Sequence, residues 1–243
     1  MRSVAVRATF CCYNRSMSGI GTLNEKPLHA ALKKYFAEEG AQFEVRVDGY
    51  FIDVVNGDEF VEIQTGGFAP LKSKLTKLTQ ERRVRLVYPI AAEKWILKLP
   101  QEPDGKIIRR KSPKRGRVEE FFWQMVSFPQ LMAHPNFSLT VVMTREEEVR
   151  RFKPDLNWRR RGWGVVERRL LGVVEEVVFE KPADWLTLLP ENIETFTASD
   201  LAKKLKLNKK LAQKMAYCLR KAGVTELVGK RGRSNLYAVK ISY

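Results

Sequence analysis

Histidine and cysteine are scarce in this chain. It has two His and three Cys in 243 residues, with Cys11 and Cys12 adjacent and Cys218 remote. No Cys/His set at structural-zinc spacing can be assembled from them. Neighbouring cysteines are also a poor start for a disulfide framework, so a reducing, cytoplasmic setting is expected. No run reaches the roughly 18 apolar residues of a membrane-spanning helix, and no membrane partner is expected. The opening MRSVAVRATFCCYNRSM lacks the sustained apolar centre of a signal peptide. It reads as a flexible tail over residues 1–22, within which Met17 could be the natural start.

Acidic charge is the other deficit. Asp and Glu number 28 against 44 Lys and Arg, a net charge of +16 with a pI near 9.9. Such a balance favours a polyanionic partner, most simply nucleic acid, although charge alone does not separate DNA from RNA. Hydrophobic residues make up 44% of the chain, enough for a sizeable core.

What is present is organised around residues 47–75, VDGYFIDVVNGDEFVEIQTGGFAPLKSKL. At period two this gives a strand to Val55, a tight turn at Asn56-Gly57, and a second strand from Asp58 to Thr65. With Val55 facing Asp58, Asp53 falls opposite Phe60 and Phe51 opposite Glu62. Asp53, Glu62 and Gln64 then share one face while Ile52, Val54, Val61 and Ile63 are buried on the other. Diagonal neighbours about 7–8 Å apart are close enough for their side chains to converge on one cation.

The flanks are regular. Leu28, Ala31, Leu32, Tyr35 and Phe36 recur at helical spacing from Leu23, with Asn24 as N-cap, Pro27 in the first turn and Gly40 as the stop. Glu25 then lies at the helix mouth, either as a first-turn acid or near the cation. QFEVRV, residues 42–47, forms a strand. Pro70 opens a helix to about Gln80, and Val84 to Ile90 is a short buried strand.

A helix, a three-stranded meander, a helix and a strand, with Asp53 on one hairpin strand and Glu62-Ile63-Gln64 on the next, resembles the core of the PD-(D/E)XK nuclease superfamily over residues 23–90. That resemblance implies an α/β (α+β) fold, a mixed sheet flanked by helices of restriction-endonuclease-like type. It also implies a Mg²⁺ site, with Mn²⁺ as substitute, held by Asp53, Glu62, the Ile63 carbonyl and, as in Holliday-junction-resolvase-like members, Glu25. Gln64 stands where lysine is commonest. It can orient the attacking water but supplies no charge, which Lys72 or Lys74 on the following helix could restore. No His or Cys lies near the motif in sequence, so covalent catalysis is not expected.

Beyond the motif, Lys94 to Leu99 and Gly105 to Arg110 read as a hairpin-like pair. RRKSPKRGR follows, with Arg109, Arg110, Lys111, Lys114 and Arg115 available for phosphates if it is not simply a solvated loop. Val118 to Met132 reads as a helix whose Phe121, Phe122 and Trp123 suit a core. Ser138 to Met143 reads as a strand, Thr144-Arg-Glu-Glu as a helix start, and Leu170 to Phe179 as a β-rich run. Arg159, Arg160 and Arg161 between Trp158 and Trp163 fit a nucleic-acid surface or a solvated rim around packed tryptophans.

From Asp184 onward the chain has 12 basic and 5 acidic residues. Thr197 caps a short helix to Leu205, a longer helix ends at Ala222-Gly223, and two strands surround the tip Gly229 to Arg233. This resembles a winged helix-turn-helix domain over residues 184–243, following a nuclease-like domain over 23–180. The likeness implies groove contacts by Asn208, Lys209, Lys210, Gln213 and Lys214 and wing contacts by Lys230, Arg231 and Arg233. Winged helices also serve as protein-binding modules.

The expected function is a Mg²⁺-dependent endonuclease hydrolysing DNA, duplex or branched, as a homodimer or by sequential nicking. The alternatives are a non-catalytic DNA-binding regulator with a degenerate nuclease core, and an RNA-directed role.

Overall fold

The computed structural model describes residues 6–7, 26–154 and 162–240. It has a mixed α/β architecture: a large mixed sheet with helices on its faces, and a small second sheet. The large sheet contains β1 (Val6–Arg7), β2 (Gln42–Val47), β3 (Tyr50–Asn56), β4 (Glu59–Ile63), β5 (Arg83–Lys98), β6 (Ile108–Lys111), β7 (Phe137–Phe152) and β8 (Trp163–Phe179). Its order is β1-β8-β7-β5-β4-β3-β2, with β6 paired to the far half of β5. The strands β4, β5 and β7 run parallel; the other pairings are antiparallel.

Parallel strands in the middle of a sheet need cover on both faces. One cover is α1 (Pro27–Phe36), whose Leu28 and Leu32 pack on Val54, Val61, Ile63, Val87 and Val142. The other begins with α2 (Lys72–Leu78), whose Leu75 and Leu78 join Ile52, Phe60, Val84 and Leu86. The side of the hairpin expected to stay open is therefore closed over β4, where Glu62 is only 3% exposed. Pro27 opens α1 at its first position with Lys26 as N-cap. Asn24 and Glu25 lie outside the described residues.

The hairpin register differs from expectation. Gly57 and Asp58 form the turn, Gly57 at φ +54°, and Asn56 pairs with Glu59, Val55 with Phe60 and Val54 with Val61. Asn56 is used instead to bind the end of α1: its amide donates to the Phe36 carbonyl at 2.8 Å and accepts the Glu38 N–H at 3.2 Å. The offset changes by two, which keeps Val54, Val61 and Ile63 together against α1, but Ile52, expected on that face, packs with Phe60 and Leu75 under α2. Continued one step, this register sets Asp53 across from Glu62 rather than Phe60.

Two helix expectations fail for identifiable reasons. Residues 118–132 are broken into a 3₁₀ turn (Val118–Phe121), the short α3 (Phe122–Met125) and a second 3₁₀ turn (Pro129–Ala133). Pro129 has no N–H to continue the helix, and Phe128 before it is driven out of helical geometry, to φ −152° and ψ 57°. The Thr144-Arg-Glu-Glu segment continues β7. Each acid there finds a cation on the same or a neighbouring strand: Glu146 with Arg168, Glu147 with Arg109 and Glu148 with Lys94 and Arg150. The run Val84 to Ile90 likewise extends to Lys98, joining the expected hairpin strand into one long β5 that pairs antiparallel with β6.

The C-terminal part has α4 (Pro182–Trp185), β9 (Thr195–Thr197), α5 (Ala198–Lys204), α6 (Lys209–Lys221), β10 (Thr225–Arg231) and β11 (Ser234–Val239). The small sheet runs β10-β11-β9, and β9 is a strand the pattern did not announce. Thr197 and Asp200 form a capping box at α5, Asn208 caps α6, and Gly223 follows α6 at φ +77°. This part shares one apolar cluster with the large sheet, in which Leu211, Met215 and Leu219 of α6 lie with Phe121, Phe122 and Met125.

Trp185 is the joint. Its ring stacks on Phe179 at 4.5 Å, and its Nε1–H donates to the Met132 carbonyl at 2.8 Å. Trp185→Ala should destabilise the whole chain in one transition by about 3–5 kcal/mol, measured by urea unfolding. A change confined to the C-terminal helices would show the joint to be loose.

Candidate active site

Glu62 is fixed by its place on β4. It alternates with Val61 and Ile63, which are buried against α1, so it shares the α2 face with Phe60 and Leu86. Leu75 and Leu78 seat α2 on that face, and the same helix brings Lys74 down to the carboxylate. Lys74 Nζ forms an ion pair with Glu62 Oε1 and donates to the Phe51 carbonyl. Of the two lysines named from the sequence, Lys74 is therefore the one that meets the acids; Lys72 is exposed.

Asp53 lies where β3 separates from β4. Its Oδ2 accepts the Ile63 N–H at 2.8 Å, taking a position the ladder would otherwise fill, and stands 3.3 Å from His29 Nε2. His29 is the site residue the sequence reading missed. It is far from the motif in sequence, but α1 carries it to Asp53, two positions after the Pro27 that starts the helix. The available signal was its being one of two histidines, on the helix already placed beside the hairpin.

The two acids differ electrostatically. Burial alone would raise Asp53, but the hydrogen bond and charge of His29, the Ile63 N–H and the charge of Lys74 outweigh it and hold the carboxyl below its ordinary range. Burial pushes Glu62 up to about 7, and the negative charge of Asp53 adds to that against the pull of Lys74. Gln64 does not join them. Its backbone N–H bonds the Val87 carbonyl at 2.9 Å, while its side-chain Nε2 donates to Gly67 within its own loop.

Two carboxylates of this kind suit Mg²⁺, which takes one or two protein oxygens and keeps several waters. Among the described residues no group of three or more His, Cys, Asp or Glu side chains is set to hold a metal ion, and Glu25 is outside them. The carboxylates brought together here are those of Asp53 and Glu62, and Lys74 supplies positive charge beside them.

The basic residues fall into two groups. Around β6, Arg109 pairs with Glu147, Lys111 and Arg115 with Glu93, and Lys114 more distantly with Glu120; Arg110 is exposed. On α6, Lys209, Lys210 and Gln213 are exposed and Lys214 Nζ lies 5.7 Å over the Trp123 ring. Asn208 is occupied as the N-cap of α6, accepting the Lys210 N–H at 2.8 Å. At the β10–β11 tip Lys230 and Arg233 are exposed, and Arg231 pairs with Asp200 at 3.1 Å. Arg159, Arg160 and Arg161 lie outside the described residues.

No helix among the described residues is long and apolar enough to cross a membrane. Fold and site define a mixed α/β protein with a buried Glu62 met by Lys74 beside a half-buried Asp53. The chain belongs to the family described as a domain of unknown function, DUF8091, whose model matches residues 26–180 and so takes in Asp53, Glu62 and Lys74. It is similar to an uncharacterized protein of Treponema pallidum (strain Nichols), 32% identical over 221 residues, which cover 90% of this chain and 86% of the relative. No solved structure matches.

The raised Glu62 has a consequence for stability. Between its ordinary value of 4.5 and about 7 the folded chain holds a proton that the unfolded chain releases, so stability is lost as pH rises through that window. In EDTA, Glu62→Gln should flatten this loss and be the more stable form above neutrality, by on the order of 2 kcal/mol. Thermal melts of both proteins across the window check it; parallel curves would show Glu62 to be ionised throughout.

Proposed function

We propose that this protein is a Mg²⁺-dependent deoxyribonuclease of the PD-(D/E)XK kind, cutting duplex or branched DNA. The observation that carries the reading is the approach of Lys74 to Glu62 beside Asp53. A lysine from α2 occupies the electrostatic role that the motif leaves open at Gln64.

In this reading Asp53 and Glu62 hold Mg²⁺ or Mn²⁺, with the Ile63 carbonyl and Glu25 as further candidate ligands. The ion, when bound, supplies a Lewis acid and a more acidic water. Asp53 is kept ionised by His29 and by the Ile63 N–H, so it is ready to bind a cation at neutral pH. Lys74 keeps Glu62 within reach of its ionised form and places an ammonium beside the position of the attacking water and the developing phosphate charge. Burial of Glu62 under α2 lowers the local dielectric and strengthens both effects.

The C-terminal part acts in this reading as a winged helix-turn-helix unit that presents the exposed face of α6 and the β10–β11 tip to DNA, in a reducing, cytoplasmic setting. Lys209, Lys210, Gln213 and Lys214 are the α6 candidates, and Lys230 and Arg233 those of the tip. Cutting both strands calls for a second copy or for two successive nicks. A second reading, DNA binding without cleavage, has one observation in its favour: the Gln64 side chain turns away to the Gly67 carbonyl.

Purified protein incubated with single-stranded, duplex and branched DNA and Mg²⁺ or Mn²⁺ should cut at least one of them. Asp53→Ala and Glu62→Ala should each lower the rate by about 100-fold or more, and Lys74→Ala by a comparable factor. Binding without cleavage on every substrate would favour the second reading. Cleavage unchanged in Glu62→Ala would remove the acid pair from the mechanism.

A further inference from the structure

A cavity of about 500 Å³ lies between β5, the loop after β6, α3 and β8, within the roughly 300–1,000 Å³ usual for small-ligand sites. Tyr88 and Trp123 give it aromatic lining; Lys94, Lys114 and Arg168 bring three cations to it against two acids, Glu148 paired with Lys94 at 3.1 Å and Glu120 at 4.0 Å from Lys114.

The cavity is built rather than incidental. The basic loop, expected to contact phosphates unless simply solvated, is strapped to β5: the Ser112 N–H donates to the Lys94 carbonyl at 2.7 Å and the Gly116 N–H to the Ala91 carbonyl at 2.8 Å. A Cβ at Gly116 would stand 2.5 Å from Ile90 Cγ2 and 2.7 Å from the Ala91 oxygen, so this approach requires glycine. Arg168 is clamped by the fully buried Glu146, which accepts its Nε–H at 2.9 Å and its Nη2–H at 3.0 Å. Its guanidinium is thereby preset at the cavity, with little ordering left to do on binding.

The cavity also connects two features already described. Arg168 Nη1 donates to the Thr65 carbonyl at 3.2 Å, in the loop directly after Gln64. Tyr88 follows Val87, whose carbonyl holds the Gln64 N–H. On the opposite side Trp123 lines both this cavity and a hollow on α6 bounded by Lys210, Gln213, Lys214 and Tyr217. The aromatic wall thus stands between the basic face of α6 and the strand that leads to the acid pair.

We infer that this cavity binds one unstacked nucleotide of a nucleic-acid strand, with its base against Trp123 and Tyr88 and its phosphate at Lys94, Lys114 and Arg168. The inference rests on the reading of the chain as acting on DNA and adds a subsite to it. Aromatic faces accept any base, and cations around them take the backbone charge. A ring recessed in a cavity meets a base only after that base has left its stack, so the site selects single-stranded, flipped or branch-point nucleotides over continuous duplex.

The test is calorimetric titration of the full chain, in EDTA so that no strand is cut, with dAMP, deoxyribose phosphate and inorganic phosphate. A short single-stranded oligonucleotide serves as competitor. dAMP should bind at least about tenfold more tightly than either phosphate without a base, and the oligonucleotide should displace it. Trp123→Ala should weaken dAMP about tenfold or more. Lys114→Ala, at a side chain that is 74% exposed, should weaken it several-fold with the fold intact. No saturable dAMP binding, equal binding of inorganic phosphate, failure of the oligonucleotide to compete, or wild-type affinity in both variants would each overturn the site. Cleavage fails independently: a protein that binds dAMP here yet cuts no DNA keeps the cavity and loses the nuclease reading, and one that cuts DNA without binding dAMP does the reverse.

Discussion

The contact between Lys74 and Glu62 is the constraint on which the centre of this molecule depends. Glu62 sits on β4, the strand between β3 and the parallel β5, and both faces of that strand are covered. A carboxylate in such a place beside a second carboxylate pays for its burial twice, in lost hydration and in repulsion. One ammonium relieves both. Its position follows from the apolar residues Leu75 and Leu78, which lay α2 against the sheet so that the preceding residue points at β4. Packing and charge therefore specify the same arrangement, and neither is separable from the other.

A similar economy governs the far half of the sheet. The acids of β7 are buried among arginines and lysines of β5, β6 and β8, and the strand runs straight through a stretch whose composition favours a helix start. These pairs hold the basic residues in fixed places instead of leaving them free in solvent. Arg168 is the clearest case, since Glu146 behind it and the Thr65 carbonyl beside it leave the guanidinium a single place at the cavity wall. The C-terminal helices complete the body by sharing its core through Trp185, Phe121 and Phe179. Trp123 links the α6 hollow to the cavity whose Arg168 reaches the loop after β4.

Much of this was legible in the residues. Period-two alternation marked β2, β3 and β4, but it grouped Gln64 with Asp53 and Glu62, whereas β4 ends at Ile63 and the Gln64 side chain turns back to the Gly67 carbonyl; capping signals at Thr197, Asn208 and Gly223 marked the C-terminal helices. The hairpin offset was misjudged because Asn-Gly is a strong turn signal, whereas Asn56 is drawn off to bind the end of α1. The helix through residues 118–132 failed at Pro129, and the one at Thr144 failed because cross-strand ion pairs override local propensity. His29 is remote from the motif along the chain, and the packing of α1 brings it to Asp53. The choice between Lys72 and Lys74 likewise awaited the facing of α2.

The central claim is that Asp53 and Glu62, with Lys74 beside them, form a divalent-cation site. Titration of Mn²⁺ followed by electron paramagnetic resonance measures this without reference to any substrate. The account predicts saturable binding to the wild-type chain that is lost in Asp53→Asn and Glu62→Gln and competed by Mg²⁺. Absence of saturable binding, or binding that survives both substitutions, would contradict it.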